Sequence, residues 1–213
     1  LKLMGSESRF CSYLDMPLQH SHGDMLSAMR RGGDAKRYLR LLDRARELAP
    51  DVFLRTTFIV GFPGETEEHF QDLLAFVERA RFDHLGAFAY SPEPGTPGAE
   101  LAGRVPKQTA RRRHRQLLET QAPIALERRR RLVGQRLPVL IEGVSSESEH
   151  LLEGRHYGMA PEIDGRVFLN DFAEEFGDGW APESGTIVEV EITEAFPSDL
   201  VGRVVGAAGV VSR

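Results

Sequence analysis

The chain has one cysteine, Cys11, among 213 residues. A single thiol excludes an internal disulfide and any cluster held by several cysteines of this chain. Cys11 therefore reads as a structural or surface thiol. No stretch of about 18 apolar residues occurs, so no membrane-spanning helix is expected. Leu1 to Phe10 contain no apolar signal core, and a cytoplasmic location is the expectation. Internal repeats and low-complexity tracts are missing, apart from the short basic run Arg128–Arg131. Basic residues are scarce in the last third. Residues 132–213 hold 15 acids against 5 bases, a balance of −10, whereas residues 1–131 carry +5. That asymmetry predicts two units in different surroundings. With 41% hydrophobic and 28% charged residues, the chain is long enough to bury a globular core.

The first 131 residues alternate strand and helix. Residues 13–19 read as a strand ending in a loop. Asp24 is expected to cap a brief helix that buries Met25, Leu26 and Met29 and stops at Gly32-Gly33. Asp34 is expected to cap a second helix with Tyr38, Leu41, Leu42, Ala45 and Leu48 on one face. Residues 53–60, bounded by Pro50 and Gly61, give the clearest strand. Thr66 should cap the next helix, with Phe70, Leu73, Leu74 and Val77 as its buried stripe. A strand near His84–Tyr90, a Pro/Gly loop and a long basic helix from about Pro106 to Arg131 follow, with Pro123 expected to kink or break the helix. This order implies a parallel sheet covered by helices. Three strands are too few to close a barrel, so residues 1–131 read as part of a larger, TIM-like α/β barrel.

From Leu132 the spacing shortens. Strands are expected at 138–144, 151–156, 163–169, 186–193 and 200–205. Val188, Val190 and Ile192 alternate with Glu189 and Glu191, as a half-buried strand requires. Five short strands in about 80 residues suggest a small antiparallel β-barrel of the oligonucleotide-binding type.

The strongest chemical signal is Phe58-Ile59-Val60-Gly61-Phe62-Pro63-Gly64-Glu65-Thr66. It is a strand, a Gly/Pro turn and a capped helix, and ligands of α/β sheets sit beyond such strand ends. Glycine in that turn would let a flat ring approach the backbone. An ordinary strand-to-helix turn is the competing reading. Pro17-Leu18-Gln19-His20, the Arg55–Thr66 string, Tyr90-Ser91-Pro92 and Gly95-Thr96-Pro97 follow in an order and spacing that resemble the radical S-adenosylmethionine methylthiotransferases. The resemblance covers roughly residues 11–205, and residues 132–205 look like the TRAM domain of that family.

This resemblance implies three parts: an N-terminal domain with one iron–sulfur cluster, a radical SAM barrel with a second cluster on a Cys-x3-Cys-x2-Cys motif, and a substrate-binding TRAM domain. The chain corresponds to later barrel strands (1–131) and TRAM (132–213), without the cysteine triad. It implies S-adenosyl-L-methionine and two 4Fe-4S clusters in the full-length protein, and none of the clusters bound by this chain, which alone is expected to be inactive. Two substrate classes exist in the family, an adenosine of transfer RNA and an aspartate of a small-subunit ribosomal protein, uS12. Tyr13–His20, Ala160–Gly165 and the acidic TRAM resemble the ribosomal-protein branch. A −10 module repels RNA and suits a basic protein. The alternatives are the transfer-RNA enzyme and a non-catalytic TRAM-type binding module. A monomer is expected.

Arg55, Thr57 and Ile59 share a strand face that would point into a barrel, toward the cofactor, which makes them candidate cofactor contacts, and an inward arginine suits a carboxylate. Its competing role is to pair with a structural acid such as Asp15. The resemblance assigns Ile59 and Gly61 to adenine contacts and Gln19 and His20 to the cofactor's polar groups. Tyr90 and Ser91 are candidate substrate contacts, or a core tyrosine with a turn serine. Glu142, Glu162, Asp164, Glu189 and Glu191 are the acids expected to meet a basic partner. His20 and His22 have the spacing of a metal pair, but no third ligand is near in sequence, and no metal site is assigned. The runs Arg111–Arg115 and Arg128–Arg131 read as a solvated helix face, with a nucleic-acid contact or an internal interface as alternatives.

Overall fold

The computed structural model describes residues 1–7, 9–173 and 182–207. It divides into two compact units, one of residues 1–2 and 14–124, the other of residues 3–13 and 125–213. The division falls inside a helix, seven residues before the end of the alternating pattern expected at residue 131.

In the first unit β1 (Tyr13–Gln19, whose first residue belongs to the second unit), β2 (Phe53–Val60) and β3 (His84–Ala89) form a sheet in that order. β2 and β3 are parallel, with Arg55 opposite His84 and Val60 opposite Ala89. β1 runs the same way: Asp15 meets Arg55, and farther along both strands His20 and Gly61 meet at Glu65. Every second residue of β2 is buried, namely Leu54, Thr56, Phe58 and Val60. Phe58 packs edge-on against Phe76 and Phe82. Phe76 belongs to α4 (Glu67–Ala80), which buries Phe70, Leu73, Leu74, Phe76, Val77 and Ala80. The apolar stripe thus holds α4 on one sheet face, as side chains recurring at helical spacing require.

Caps explain the helix starts. Asp34 Oδ1 accepts the Arg37 N–H at 2.7 Å and opens α3 (Ala35–Leu48). Thr66 and His69 form a reciprocal capping box on α4. Two local expectations are corrected. α2 (Gly23–Ala28) is capped by His22 rather than Asp24, and it ends at Met29 and left-handed Arg30, before the glycine pair. Of the kink or break expected at Pro123, the break does not occur, and α6 (Lys107–Arg130) runs through it. Proline removes only one donor there, and flanking packing of Leu117, Ile124 and Ala125 holds the helix on both sides of it. The short α5 (Pro97–Glu100) occupies the loop after β3.

In the second unit five strands close a barrel: β4 (Arg136–Val144), β5 (Leu152–His156), β6 (Val167–Phe172), β7 (Ile187–Ala195) and β8 (Leu200–Ala207), in the order β4-β5-β6-β8-β7. A further helix, α1 (Lys2–Ser6), precedes β1. The barrel is not wholly antiparallel, because β6 and β8 pair in parallel. β6 also starts later than expected, at Val167, since residues 160–165 form a turn. The core consists of Leu137, Val139, Ile141, Met159, Val167, Leu169, Val188, Val190, Ile192, Leu200 and Val204. Alternation along β7 buries Val188, Val190 and Ile192, as read from the sequence.

Candidate functional site

The carboxyl ends of β1, β2 and β3 lead into Gln19–His22, Gly61–Thr66 and Tyr90–Thr96. The first two meet at a buried polar cluster centred on Glu65. Glu65 Oε2 accepts the Gly61 N–H at 2.5 Å and an Arg113 guanidinium N–H at 2.7 Å. Arg113 also donates to the Glu65 carbonyl at 3.0 Å and lies over the Phe70 ring, 5.4 Å from its centroid. His20 Nε2 is 3.3 Å from Glu65 Oε1, and His20 Nδ1 accepts the His22 N–H at 3.0 Å. With Nδ1 an acceptor, Nε2 carries the proton and donates to Glu65. The side chains of His20 and Glu65 have no solvent exposure, and that of Arg113 has 5%. A charge this deep persists only when it is paired and hydrogen-bonded.

Gly61 is required by the backbone, with φ at +76°. A Cβ there would stand 2.4 Å from Ala110 Cβ of α6. Helix packing, rather than room for a ligand ring, explains this glycine. The Gly64 N–H donates to the Gly103 carbonyl at 2.9 Å, which ties the turn to the segment before α6.

The expected residues divide by place. Gln19 and Ile59 line a rim cleft of about 460 Å³ together with Phe62, Tyr90 and Arg30. Gly61, Tyr90 and Ser91 line a second cleft, of about 500 Å³, with Arg104, Lys107 and Arg111. Arg55 and Thr57 lie on the same uncovered face of β2 as Ile59, lower on the strand. Arg55 donates to Asp15 at 2.9 Å and to Thr57 Oγ1 at 3.4 Å, so the pairing with a structural acid is present. His20 is different. Its ring is enclosed with both nitrogens engaged, which corrects the expectation that it faces a ligand. Tyr90 packs edge-on against Phe62 at 4.9 Å, and its buried hydroxyl has no hydrogen-bond partner among the described residues. Reading the sequence for site residues missed Glu65 and Arg113. Glu65 had a signal, as the acid that follows the Gly/Pro turn, whereas Arg113 was hidden in a basic run.

That run does not form one solvated face. Arg113 is buried, Arg112 pairs with Glu67 at 3.0 Å, and Arg111 lines the larger cleft. The Glu67 carboxyl is held below the usual range, first by the Gln71 amide and then by Arg113. In the second unit Arg129 is buried and donates to the Pro197 carbonyl at 2.6 Å.

The barrel acids also divide. Asp164 is only 6% exposed, accepts the Tyr13 hydroxyl, and accepts the Ala160 N–H at 3.0 Å. It organises the 160–165 turn and cannot present a carboxylate to a partner, which corrects its assignment. Glu162 stands exposed on that turn. Glu142 pairs with Arg155 at 2.9 Å and Glu191 with Arg203 at 3.6 Å. Glu189 is half-buried on β7 beside Glu191's strand neighbours.

Known proteins match both units. Residues 1–77 match the radical SAM superfamily and residues 133–205 the TRAM domain. The chain is 47% identical over 205 residues, 96% of its length, to the ribosomal protein uS12 methylthiotransferase RimO of Anaeromyxobacter sp. (strain Fw109-5), covering 42% of that protein. It is 50% identical over 200 residues, 94% of its length, to the protein of the same name from Synechococcus sp. (strain CC9605), covering 43% of it. With that of Myxococcus xanthus (strain DK1622) it shares 46% identity over 205 residues, 96% of the chain and 41% of the relative. The chain thus spans about two fifths of the length of these relatives. With a radical SAM match followed by a TRAM match, the chain is similar over nearly its whole length to these uS12 methylthiotransferases.

Proposed function

We propose that this chain serves in an enzyme that methylthiolates the β-carbon of an aspartate in ribosomal protein uS12. In this reading residues 1–131 contribute to the radical SAM barrel and residues 132–213 are the TRAM module. The enzyme works in the cytoplasm as a monomer; no described helix is long and apolar enough to cross a membrane. The observation that carries the substrate class is the −10 balance of residues 132–213, which suits a basic protein and opposes a polyanion.

The rim of the first unit fits S-adenosylmethionine. Its cleft of about 460 Å³ lies in the ordinary range for small ligands. Ile59 and Phe62 offer apolar walls, Gln19 an amide, and Tyr90 a buried hydroxyl without a partner among the described residues. Gly61 adds backbone at the end of the same strand. When bound, S-adenosylmethionine supplies the methyl group and the radical chemistry. The residues of the chain position and enclose it. Glu65 holds the Gly61 turn, and Asp15 with Thr57 keeps the Arg55 guanidinium oriented on the uncovered face. The residues do not fit an iron–sulfur cluster with cysteine ligands, because Cys11 is the only cysteine. Two such clusters belong to the full-length protein.

The test is mass spectrometry of uS12 and of transfer RNA after incubation with the reconstituted full-length enzyme. A methylthio mass increment on a uS12 aspartate is expected. An increment on transfer-RNA adenosine instead would overturn the reading. The 213-residue chain, reconstituted with iron and sulfide under anaerobic conditions, is expected to take up no stoichiometric four-iron cluster.

A further inference from the structure

His20 and His22 have parted company in the fold. His20 enters the Glu65 cluster, while His22 turns outward to the first turn of α4. There its ring lies against His69, with centroids 4.2 Å apart and planes tilted by 35°. Asp24, in the first turn of α2, places Oδ2 4.0 Å from His22 Nδ1. One ligand atom each from His22, Asp24 and His69 lies within 4.8 Å of the others. Asp72, one turn beyond His69 on α4, places Oδ2 3.7 Å from His22 Nε2. Two imidazoles and two carboxylates therefore converge from two helices.

We propose that His22, His69 and Asp24 bind a divalent metal of the zinc type, bridging the first turns of α2 and α4. The donor set decides the metal class. Two imidazole nitrogens with a carboxylate suit zinc, cobalt or nickel, whereas magnesium and calcium take oxygen ligands. Tetrahedral bonds of about 2.0–2.2 Å put ligand atoms roughly 3.3–3.6 Å apart, so each donor has to move inward by about 1 Å. The side chains have that freedom. Asp24 is 85% exposed and His22 27%. The competing contacts are long: Asp24 N–H to His22 Nδ1 at 3.2 Å and Thr66 N–H to His69 Nδ1 at 3.3 Å. Both are helix-cap bonds that a metal–imidazole bond can replace. Asp72 completes the site as a fourth ligand or as the carboxylate that orients His22. Otherwise water takes that position. The carboxylates also offset the positive ends of the two helices, which disfavour a cation. Bound metal would tie the segment after β1 to α4, and so brace the cofactor-side rim without taking part in its chemistry.

The experiment uses the 213-residue chain carrying Cys11→Ser, which removes the exposed thiol as a competing ligand. Chelator-stripped protein is titrated with zinc chloride by calorimetry and with cobalt chloride by visible spectroscopy. One equivalent with micromolar affinity and four-coordinate cobalt bands is expected. His22→Gln and His69→Gln should each weaken binding about tenfold or more. His150→Gln, in the barrel unit, should leave it unchanged. Circular dichroism checks that the variants fold. If one does not, X-ray absorption of the zinc-loaded Cys11→Ser protein decides, with two imidazoles expected in the coordination shell. Failure of that protein to bind zinc in the micromolar range would overturn the proposal. So would unchanged binding in a folded His22→Gln/His69→Gln double variant, or a shell without imidazole.

Discussion

The two units place their charges differently. The sheet unit buries a carboxylate, a guanidinium and an imidazole together at its strand ends, with Glu65 as the shared partner. The barrel strands enclose an apolar core and pair acids with arginines on the outside, as in Glu142–Arg155, Glu153–Arg166 and Glu191–Arg203, while the charges this unit buries, Asp164 and Arg129, lie on a turn and on α6 and are bonded to neutral groups. The cores differ in parallel. The sheet unit uses aromatic rings, Phe58, Phe70, Phe76 and Phe82, to fill the depth between sheet and helix. The barrel interior is lined by Val, Ile, Leu and Met, because a closed five-stranded barrel leaves little room inside. The lesson concerns rigidity. A buried, paired charge cluster holds one geometry because a departure from it exposes an unpaired charge to a low-dielectric interior. Exposed pairs hold little.

Removing one member of the buried cluster should have the largest effect. Glu65→Ala is expected to destabilise the chain by about 3 kcal/mol, since buried Arg113 then keeps only the half-exposed Glu67, at 3.2 Å, as an acidic partner. Replacing the acid and the arginine together, Glu65→Leu with Arg113→Met, should recover much of that loss. Urea unfolding followed by circular dichroism measures both. An equal loss in the single and double variants would show that shape, not charge, organises the rim.

For the barrel, the corresponding weak point is apolar. Leu169 is fully buried, and Leu169→Ala is expected to cost about 2–5 kcal/mol through lost burial and the cavity left behind. A cost under about 1 kcal/mol would mean that the barrel collapses around the gap, and that its packing is less specific than the sheet unit's.

Charge outside the barrel should act on encounter. Glu191→Gln alone is expected to change stability by less than about 1 kcal/mol. Neutralising Glu142, Glu162, Glu189 and Glu191 together should slow association of the full-length enzyme with uS12 and flatten its salt dependence. Stopped-flow or surface-based binding across a salt series reads this. Tighter, salt-sensitive binding to transfer RNA would break the reading of the acidic face.

The smallest effect lies at the edge of the buried cluster. The Glu67 carboxyl is lowered, chiefly by Gln71 and next by Arg113. A depressed carboxylate contributes stability that is fully present above the ordinary glutamate range and is lost as the pH falls through its own, lower value. Because Glu67 is half exposed, the contribution should be a few tenths of a kcal/mol. Glu67→Gln is expected to flatten the acid limb of the stability profile slightly and leave neutral stability nearly unchanged.

Much of the molecule is legible in the chain itself. The alternation of Leu54, Thr56, Phe58 and Val60 with Arg55, Thr57 and Ile59 sets the two faces of β2, because side chains of a strand alternate. Asp34 and Thr66 mark helix starts because their oxygens satisfy free N–H groups. The Gly/Pro turn marks the rim, and the five short strands mark the barrel. These are local signals, carried by neighbours within a few residues. Contacts over long separations were decided by tertiary structure alone. His20 and His22 look alike in sequence, yet one meets Glu65 and the other His69, partners 45 and 47 positions away. Arg113 sits among five consecutive basic-looking positions, and only the packing of α6 on the Gly61 turn selects it for burial. Asp164 reads as a surface acid until Tyr13, 151 residues earlier, is found donating to it. Periodicity can say which face a residue occupies. What stands opposite that face depends on how distant segments pack, and in this protein that packing separates a structural charge from one free to meet a ligand.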